Sequence, residues 1–232
     1  MKIFRGSLKQ AAIAIGGTWL TFVVALCLAL PQPVHLTQFL GGAFIGAILV
    51  TSGFFASSRG RLVSARPFSQ RAKLTALAFL LGAFLGAVLL AALSVLVRFE
   101  PALRARFAGR LAEPIWRPWA LAFESSILEE ITFRLFAMGL LVWLATRLFS
   151  QARSSFIAGL IGSALLFGMA HLPAWASVSH PTFLLFGLVL LLNGIGGLLL
   201  GWVYWRWGLP YAVYCHFAGD VVLQVLGPHL LG

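Results

Sequence analysis

Charged side chains are scarce in this 232-residue chain: Asp, Glu, Lys and Arg together make up 10% of it. A soluble domain carries about 25%, so water is not the solvent of most of this surface. That excludes an ordinary soluble enzyme and a disordered tail. Cysteine is equally sparse. The two present, Cys27 and Cys215, lie inside apolar runs as packing residues, which excludes a secreted disulfide scaffold. Acids number six against 17 Lys plus Arg, a formal charge of +11. In a soluble protein that excess would point to nucleic acid. Here the basic residues sit in short stretches between apolar runs, where they set topology and meet anionic headgroups. The expected surroundings are a lipid bilayer, with no nucleic-acid partner.

What the chain has in abundance is hydrophobic residues, 60% of the total. They gather into seven runs, at roughly 11–30, 36–56, 74–97, 119–146, 156–176, 182–203 and 209–226. The first run is longer than a signal-peptide core, and no small-x-small cleavage site follows it, so it reads as a retained span. The expected fold is all-α, a polytopic transmembrane helical bundle of about seven to eight spans. It would form a single integral-membrane domain over residues 1–232, with a motif-bearing core at 119–226.

Orientation follows from the basic residues. Lys2, Arg5 and Lys9 precede the first run, and Arg59, Arg61, Arg66, Arg71 and Lys73 lie between the second and third. Both stretches are expected in the cytoplasm, which places the amino terminus there. Residues 98–118 disagree, since they carry five arginines yet fall outside by simple alternation. In that stretch Leu103, Phe107, Leu111 and Ile115 recur every four residues among Arg104, Arg106 and Arg110. This pattern predicts a short amphipathic helix in the membrane interface. Glycine pairs at Gly42 and Gly46, Gly82 and Gly86, and Gly197 and Gly201 suit close helix packing in lipid.

An ionisable side chain at bilayer depth costs about 2.5–3.5 kcal/mol on insertion scales, so those inside the runs are expected to act or to be paired. They are Glu124, Glu129, Glu130, Arg134, His171, His216 and Asp220. On a helix Glu130 and Arg134 are four apart, acid first, and share a face. Glu129 is five from Arg134 and lies about 140° around the axis. Glu130 is therefore expected to pair with the arginine, leaving Glu129 as the free carboxylate, suited to general acid–base work. His171 lies one turn after Phe167 on the same face. Two residues further on, Pro173 must end or kink the helix and free a carbonyl beside the histidine. His216 and Asp220, four apart, project from one face. Asp220 could fix the imidazole tautomer, or both could address one substrate atom. Glu124, on another face, is expected to be interfacial or supporting.

The inventory excludes several chemistries. An aspartyl dyad needs two aspartates, and Asp220 is the only one. No histidine is followed by glutamate, so H-E-x-x-H is absent. Gly162-Ser163 lacks the G-x-S-G setting of a rhomboid-like serine protease. One or two glutamates, two histidines and an aspartate remain, a set able to activate water and stabilise the oxyanion formed on an amide.

The three clusters, Glu129-Glu130-x-x-x-Arg134, Phe167-x-x-x-His171 and His216-x-x-x-Asp220, occur in the order E-E-x-x-x-R, F-x-x-x-H, H-x-x-x-(N/D). In this the chain resembles the type II CAAX prenyl endopeptidase and bacteriocin-processing (CPBP) family of intramembrane proteases, which includes abortive-infection-like members. The resemblance implies a membrane endopeptidase acting on lipidated or hydrophobic peptides. In it Glu129 and His171 activate the hydrolytic water, and His216 and Asp220 stabilise the tetrahedral intermediate. An ionised Asp cannot donate to an oxyanion, so Asp220 is expected to orient His216, with Glu130, Arg134 and Phe167 in support. No cofactor is certain. Zinc is the metal that Glu129, His171 and His216 would suit, although metal-independent catalysis is the expectation preferred here. Two other classes stay open on the residues alone: a proton-coupled transporter using the same groups as a relay, and a non-catalytic scaffold of the same fold.

Overall fold

Inside hydrocarbon every backbone amide must be satisfied within its own segment, so long apolar runs become helices. The computed structural model describes residues 8–29, 35–60, 62, 68–176 and 182–232, and among these there is no strand. The seven runs become α1 (Leu8–Ala29), α2 (Leu36–Arg59) and α3 (Phe68–Leu96), followed by a short α4 (Pro101–Arg110). Next comes an unbroken helical stretch of α5 (Arg117–Glu129), a π-helix (Glu130–Met138) and α6 (Gly139–Ala145). Then follow α7 (Ala152–Ala170), a five-residue α8 (Leu172–Ala176) and α9 (Phe183–Trp207). The chain closes with α10 (Leu209–Asp220), a second π-helix (Val221–Leu226) and α11 (Gly227–Leu231).

Six helical segments are long and apolar enough to cross a membrane: 12–29, 36–59, 70–96, 152–175, 183–207 and 209–231. The expected run at 119–146 is helical to Ala145 but falls outside that set, since it carries Glu124, Glu129, Glu130 and Arg134. The protein is an integral, multi-pass membrane protein. Lys2, Arg5, Arg61 and Arg66, on which the expected orientation leans, lie outside the described residues.

The distribution of side chains is inverted relative to a soluble domain. Large apolar residues such as Phe44, Leu80, Phe84 and Leu165 face outward, whereas Glu130 and Arg134 are wholly buried. Two apolar clusters support the interior. Met138, Val142, Leu200, Val203, Tyr204 and Cys215 form one; Phe22, Val50, Ile127, Ile131 and Leu135 form the other. They grip the central α5–π–α6 stretch from both sides.

Packing of α3 on α10 depends on glycine. A methyl at Gly82 would overlap the backbone carbonyl of Cys215, and one at Gly86 would come within 2.8 Å of the Gly219 carbonyl. The Gly82/Gly86 pair thus sets the distance between α3 and the helix that carries His216 and Asp220.

The 98–118 stretch differs from its pattern. The helix stops at Arg110, so Leu111 and Ile115 are exposed, although Leu103 is buried. Glu100, the residue before α4, is buried and accepts a 2.6 Å hydrogen bond from Thr182, which caps α9 by accepting from the Leu185 amide. This tie anchors the start of α4 to the start of α9, and α4 lends Leu103, Arg106, Phe107 and Arg110 to the wall of a cavity. At its other end α4 packs against α11.

Candidate active site

The central helix changes its winding where the chemistry is densest. At Glu130 the i→i+4 ladder gives way to the wider i→i+5 ladder of a π-helix, which redirects side chains and frees backbone carbonyls. One carbonyl in this segment, that of Leu135, accepts a 2.8 Å hydrogen bond from the buried Ser57 hydroxyl. Ser57 in turn accepts from the Tyr204 hydroxyl at 2.8 Å. Residues of α2 and α9 therefore pin the segment that presents the glutamates.

The two adjacent carboxylates meet different surroundings. Glu130 is sealed: Oε2 lies 3.2 Å from Nε of Arg134, with both side chains fully buried. Its other oxygen, Oε1, accepts a 2.9 Å hydrogen bond from Nδ1 of His216. Glu129 is 27% exposed and lines a cavity. Of the pair, only Glu129 is placed to meet a bound molecule. Arg134 is dry as well as paired. Its Nη1 and Nη2 have no hydrogen-bond partner among the described residues, and the Phe167 ring covers the guanidinium at 4.4 Å. Such a desolvated cation–π contact is worth about 2 kcal/mol. Phe167 also lies against both imidazole rings, 4.8 Å from His171 and 5.9 Å from His216. One aromatic plate thus separates the sealed cation from the open site.

His171 stands at the end of α7, where Pro173 forces a break. Its backbone amide reaches back only three residues, to Gly168 at 3.2 Å, which leaves the Phe167 carbonyl without its usual donor. The histidine's own ring fills the gap, with Nδ1 2.8 Å from that oxygen. A carbonyl only accepts, so Nδ1 carries a proton, and Nε2 faces the cavity.

The two Nε2 atoms flank Glu129. That of His171 lies 3.8 Å from Oε1, and that of His216 lies 3.7 Å from Oε2. A glutamate and two histidines from three separate helices therefore converge. Asp220 lies 3.7 Å from Nε2 of His216, beyond hydrogen-bond reach. It was expected to hold the imidazole, but the atom that does so is Glu130 Oε1, on another helix and at the other nitrogen. Asp220 is itself held: its Oδ2 accepts from the Ser125 hydroxyl at 2.5 Å and from the Gln224 amide at 2.8 Å. Glu124 does not line the cavity.

The cavity, about 270 Å³, is lined from α3, α4, α5, α7, α8, α9, α10 and the second π-helix, and Glu129, Phe167, His171, His216 and Asp220 face it. Ser125, Asn193, Gln224, Arg106 and Arg110 also line it. None of these five is an ionisable residue within an apolar run. A signal existed for three of them, since Ser125, Asn193 and Gln224 are neutral polar residues interrupting apolar stretches.

A zinc ion would draw three donors to about 2.0–2.2 Å of one point. Here Nε2 of His171 lies nearest Oε1 of Glu129, and Nε2 of His216 lies nearest Oε2. Among the described residues, no three His, Cys, Asp or Glu side chains are grouped to hold a metal ion.

The structure therefore gathers a carboxylate and two imidazoles at one cavity of a helical membrane protein, a set able to activate water. A sequence match points to a family. The family model described as type II CAAX prenyl endopeptidase Rce1-like matches residues 111–222, just under half of the chain, and that stretch carries all three motifs. No curated protein and no solved structure matches the chain.

Proposed function

We propose that the protein is an endopeptidase that hydrolyses peptide bonds of hydrophobic or lipidated peptides in or beside the bilayer. The observation that carries this reading is the placement of Glu129 between Nε2 of His171 and Nε2 of His216 on one cavity. Glu129 accepts a proton from a water held also by Nε2 of His171. The resulting hydroxide attacks the carbonyl carbon of the scissile amide. Charge then develops on the carbonyl oxygen, and His216 in its doubly protonated form donates Nε2–H to it. The groups behind His216 support that form, because Glu130 accepts the Nδ1–H hydrogen bond as a carboxylate and Arg134 keeps Glu130 ionised. When the tetrahedral intermediate collapses, the C–N bond breaks and Glu129 returns its proton to the leaving amine. Asp220, tethered by Ser125 and Gln224, holds a second negative charge near Nε2 and steers the imidazolium without contacting the oxyanion.

Mass spectrometry of membrane peptides from cells expressing wild type or Glu129→Gln tests the reading. A cleavage product present only with wild type supports it and identifies the substrate. Identical peptide profiles, with both proteins at equal levels in the membrane, contradict it.

A further inference from the structure

Asn193 is the one polar side chain on the face of α9 that lines the cavity, among Leu185, Leu188, Val189, Leu192, Gly196 and Leu200. It stands near the middle of the span at 183–207, where hydrocarbon supplies no hydrogen-bond partner. Two close approaches between α9 and α7 fix its level. A methyl on Gly168 would lie 3.1 Å from the Leu190 carbonyl oxygen, and one on Gly197 would lie 3.0 Å from Cα of Ala164. The two helices are therefore antiparallel here. Asn193, between Leu190 and Gly197, falls opposite the turn from Ala164 to Gly168 that carries Phe167. The Phe167 ring lies 4.8 Å from that of His171 and 5.9 Å from that of His216. Asn193 thus stands at the depth of the histidines and of Glu129 between them.

Three neutral hydroxyl or carboxamide side chains of serine, asparagine and glutamine line the cavity, and Asn193 alone is not tied to a charged group. Ser125 and Gln224 both donate to Oδ2 of Asp220, and Oε1 of Gln224 accepts from Arg110. Among the described residues Asn193 makes a single hydrogen bond, from Nδ2 to the Val189 carbonyl of its own helix at 2.8 Å. That leaves Oδ1 as an acceptor and the second Nδ2–H as a donor. A free acceptor beside a free donor is the complement of a peptide group, which offers one N–H and one C=O.

A peptide drawn into an apolar cavity loses water from its backbone N–H and C=O groups, and each one left unpaired weakens binding. In a helical segment those groups are satisfied internally and have nothing to offer Asn193. In an extended segment they are open. We infer that Asn193 is a positioning residue that hydrogen-bonds one backbone amide of an extended peptide, beside the amide that reaches Glu129, and so sets the register in which the chain is held. This rests on the peptidase reading for the nature of the bound molecule. A lipid chain or ester brings no N–H, so the same contact favours a peptide backbone over lipid of equal apolarity.

The test uses the full chain in neutral detergent micelles, carrying Glu129→Gln so that bound peptide stays intact. The probe is a dye-labelled Leu/Ala peptide of non-repeating order, with a set of copies in which each backbone amide in turn is an ester. The ester removes one N–H donor and weakens the carbonyl as an acceptor. Fluorescence anisotropy gives the affinity of each. One internal position is expected to lose about threefold to tenfold as an ester, the net worth of one hydrogen bond. With Asn193→Leu the parent peptide should weaken by a similar factor, and the loss at that position should vanish, the coupling expected of two groups in contact.

The coupling is the readout, because an asparagine that only supported the helix would weaken the parent and every ester alike. Asn193→Ala, which adds no bulk, should show the same coupling and covers the case of a Leu variant that fails to fold. Indifference to every ester, a sensitive position that stays sensitive without Asn193, or no binding of the parent peptide overturns the inference. Binding is read without turnover, so the two readings fail separately. Coupling in a protein that cuts no peptide leaves Asn193 standing as a peptide-binding residue; cleavage without coupling leaves only the peptidase.

Discussion

Glu130 accepts a 2.9 Å hydrogen bond from Nδ1 of His216 in a place sealed from solvent, and it does so while paired with Arg134. The neighbouring carboxylates therefore have opposite jobs. Glu130 joins two helices and a buried cation; Glu129 faces the cavity. Breaking a buried ion pair by removing one partner costs about 3–5 kcal/mol, because a charge is left uncompensated. Glu130→Ala should lower the thermal unfolding midpoint of the purified protein markedly, whereas Glu129→Gln should leave it near wild type. Equal losses from both would mean that the two carboxylates share one structural role.

Removing both members of the buried pair separates folding from activity. Glu130→Gln with Arg134→Met abolishes the charges together, and such replacements are often neutral or stabilising. The double variant should recover most of the thermal stability lost by Glu130→Ala. It should remain poorly active on a membrane peptide substrate, because His216 has lost its anionic partner. Recovered activity alongside recovered stability would show that the pair only supports the fold.

The hydrogen-bonded pair Tyr204–Ser57 holds the Leu135 carbonyl within the π-helix. Ser57→Ala leaves that buried carbonyl unsatisfied and should cost about 1–3 kcal/mol. Tyr204→Phe, which leaves Ser57 in place, should cost less, near 1 kcal/mol. Thermal unfolding of the two variants checks the order.

Gly82→Ala drives a methyl into the backbone of α10 beside Cys215. Overpacking of this kind costs about 1–3 kcal/mol. It also displaces the helix that carries His216, so turnover should fall more steeply than stability. Gly16→Ala, on a face with open space, is the control and should change neither.

Much of the fold was legible because lipid imposes one rule. Apolar runs must become helices, and the seven runs did so within a few residues of their expected ends. The split between Glu129 and Glu130 was legible too, since a four-residue spacing brings an acid to Arg134 and a five-residue spacing does not. The same rule was less informative at His216 and Asp220. It placed the two on one face, but a partner from another helix, Glu130, took the nitrogen, and helix spacing carries no information about that. Pro173 pointed to a freed carbonyl beside His171. The one that the ring engages is that of Phe167, because the last turn tightened before the proline. Neither π-helix could be read from a pattern that assumes an α-helical period. Arg106 and Arg110 were expected on an amphipathic helix in the membrane interface, and a helical period carries no information about the cavity they line.

Turnover of a fluorogenic membrane peptide by purified protein in proteoliposomes, wild type against Glu129→Gln, tests the central claim most directly. General acid–base catalysis contributes about 10²–10⁴-fold, so the variant should lose at least the lower figure while keeping its unfolding midpoint. Unchanged turnover by a correctly folded Glu129→Gln protein would contradict the account.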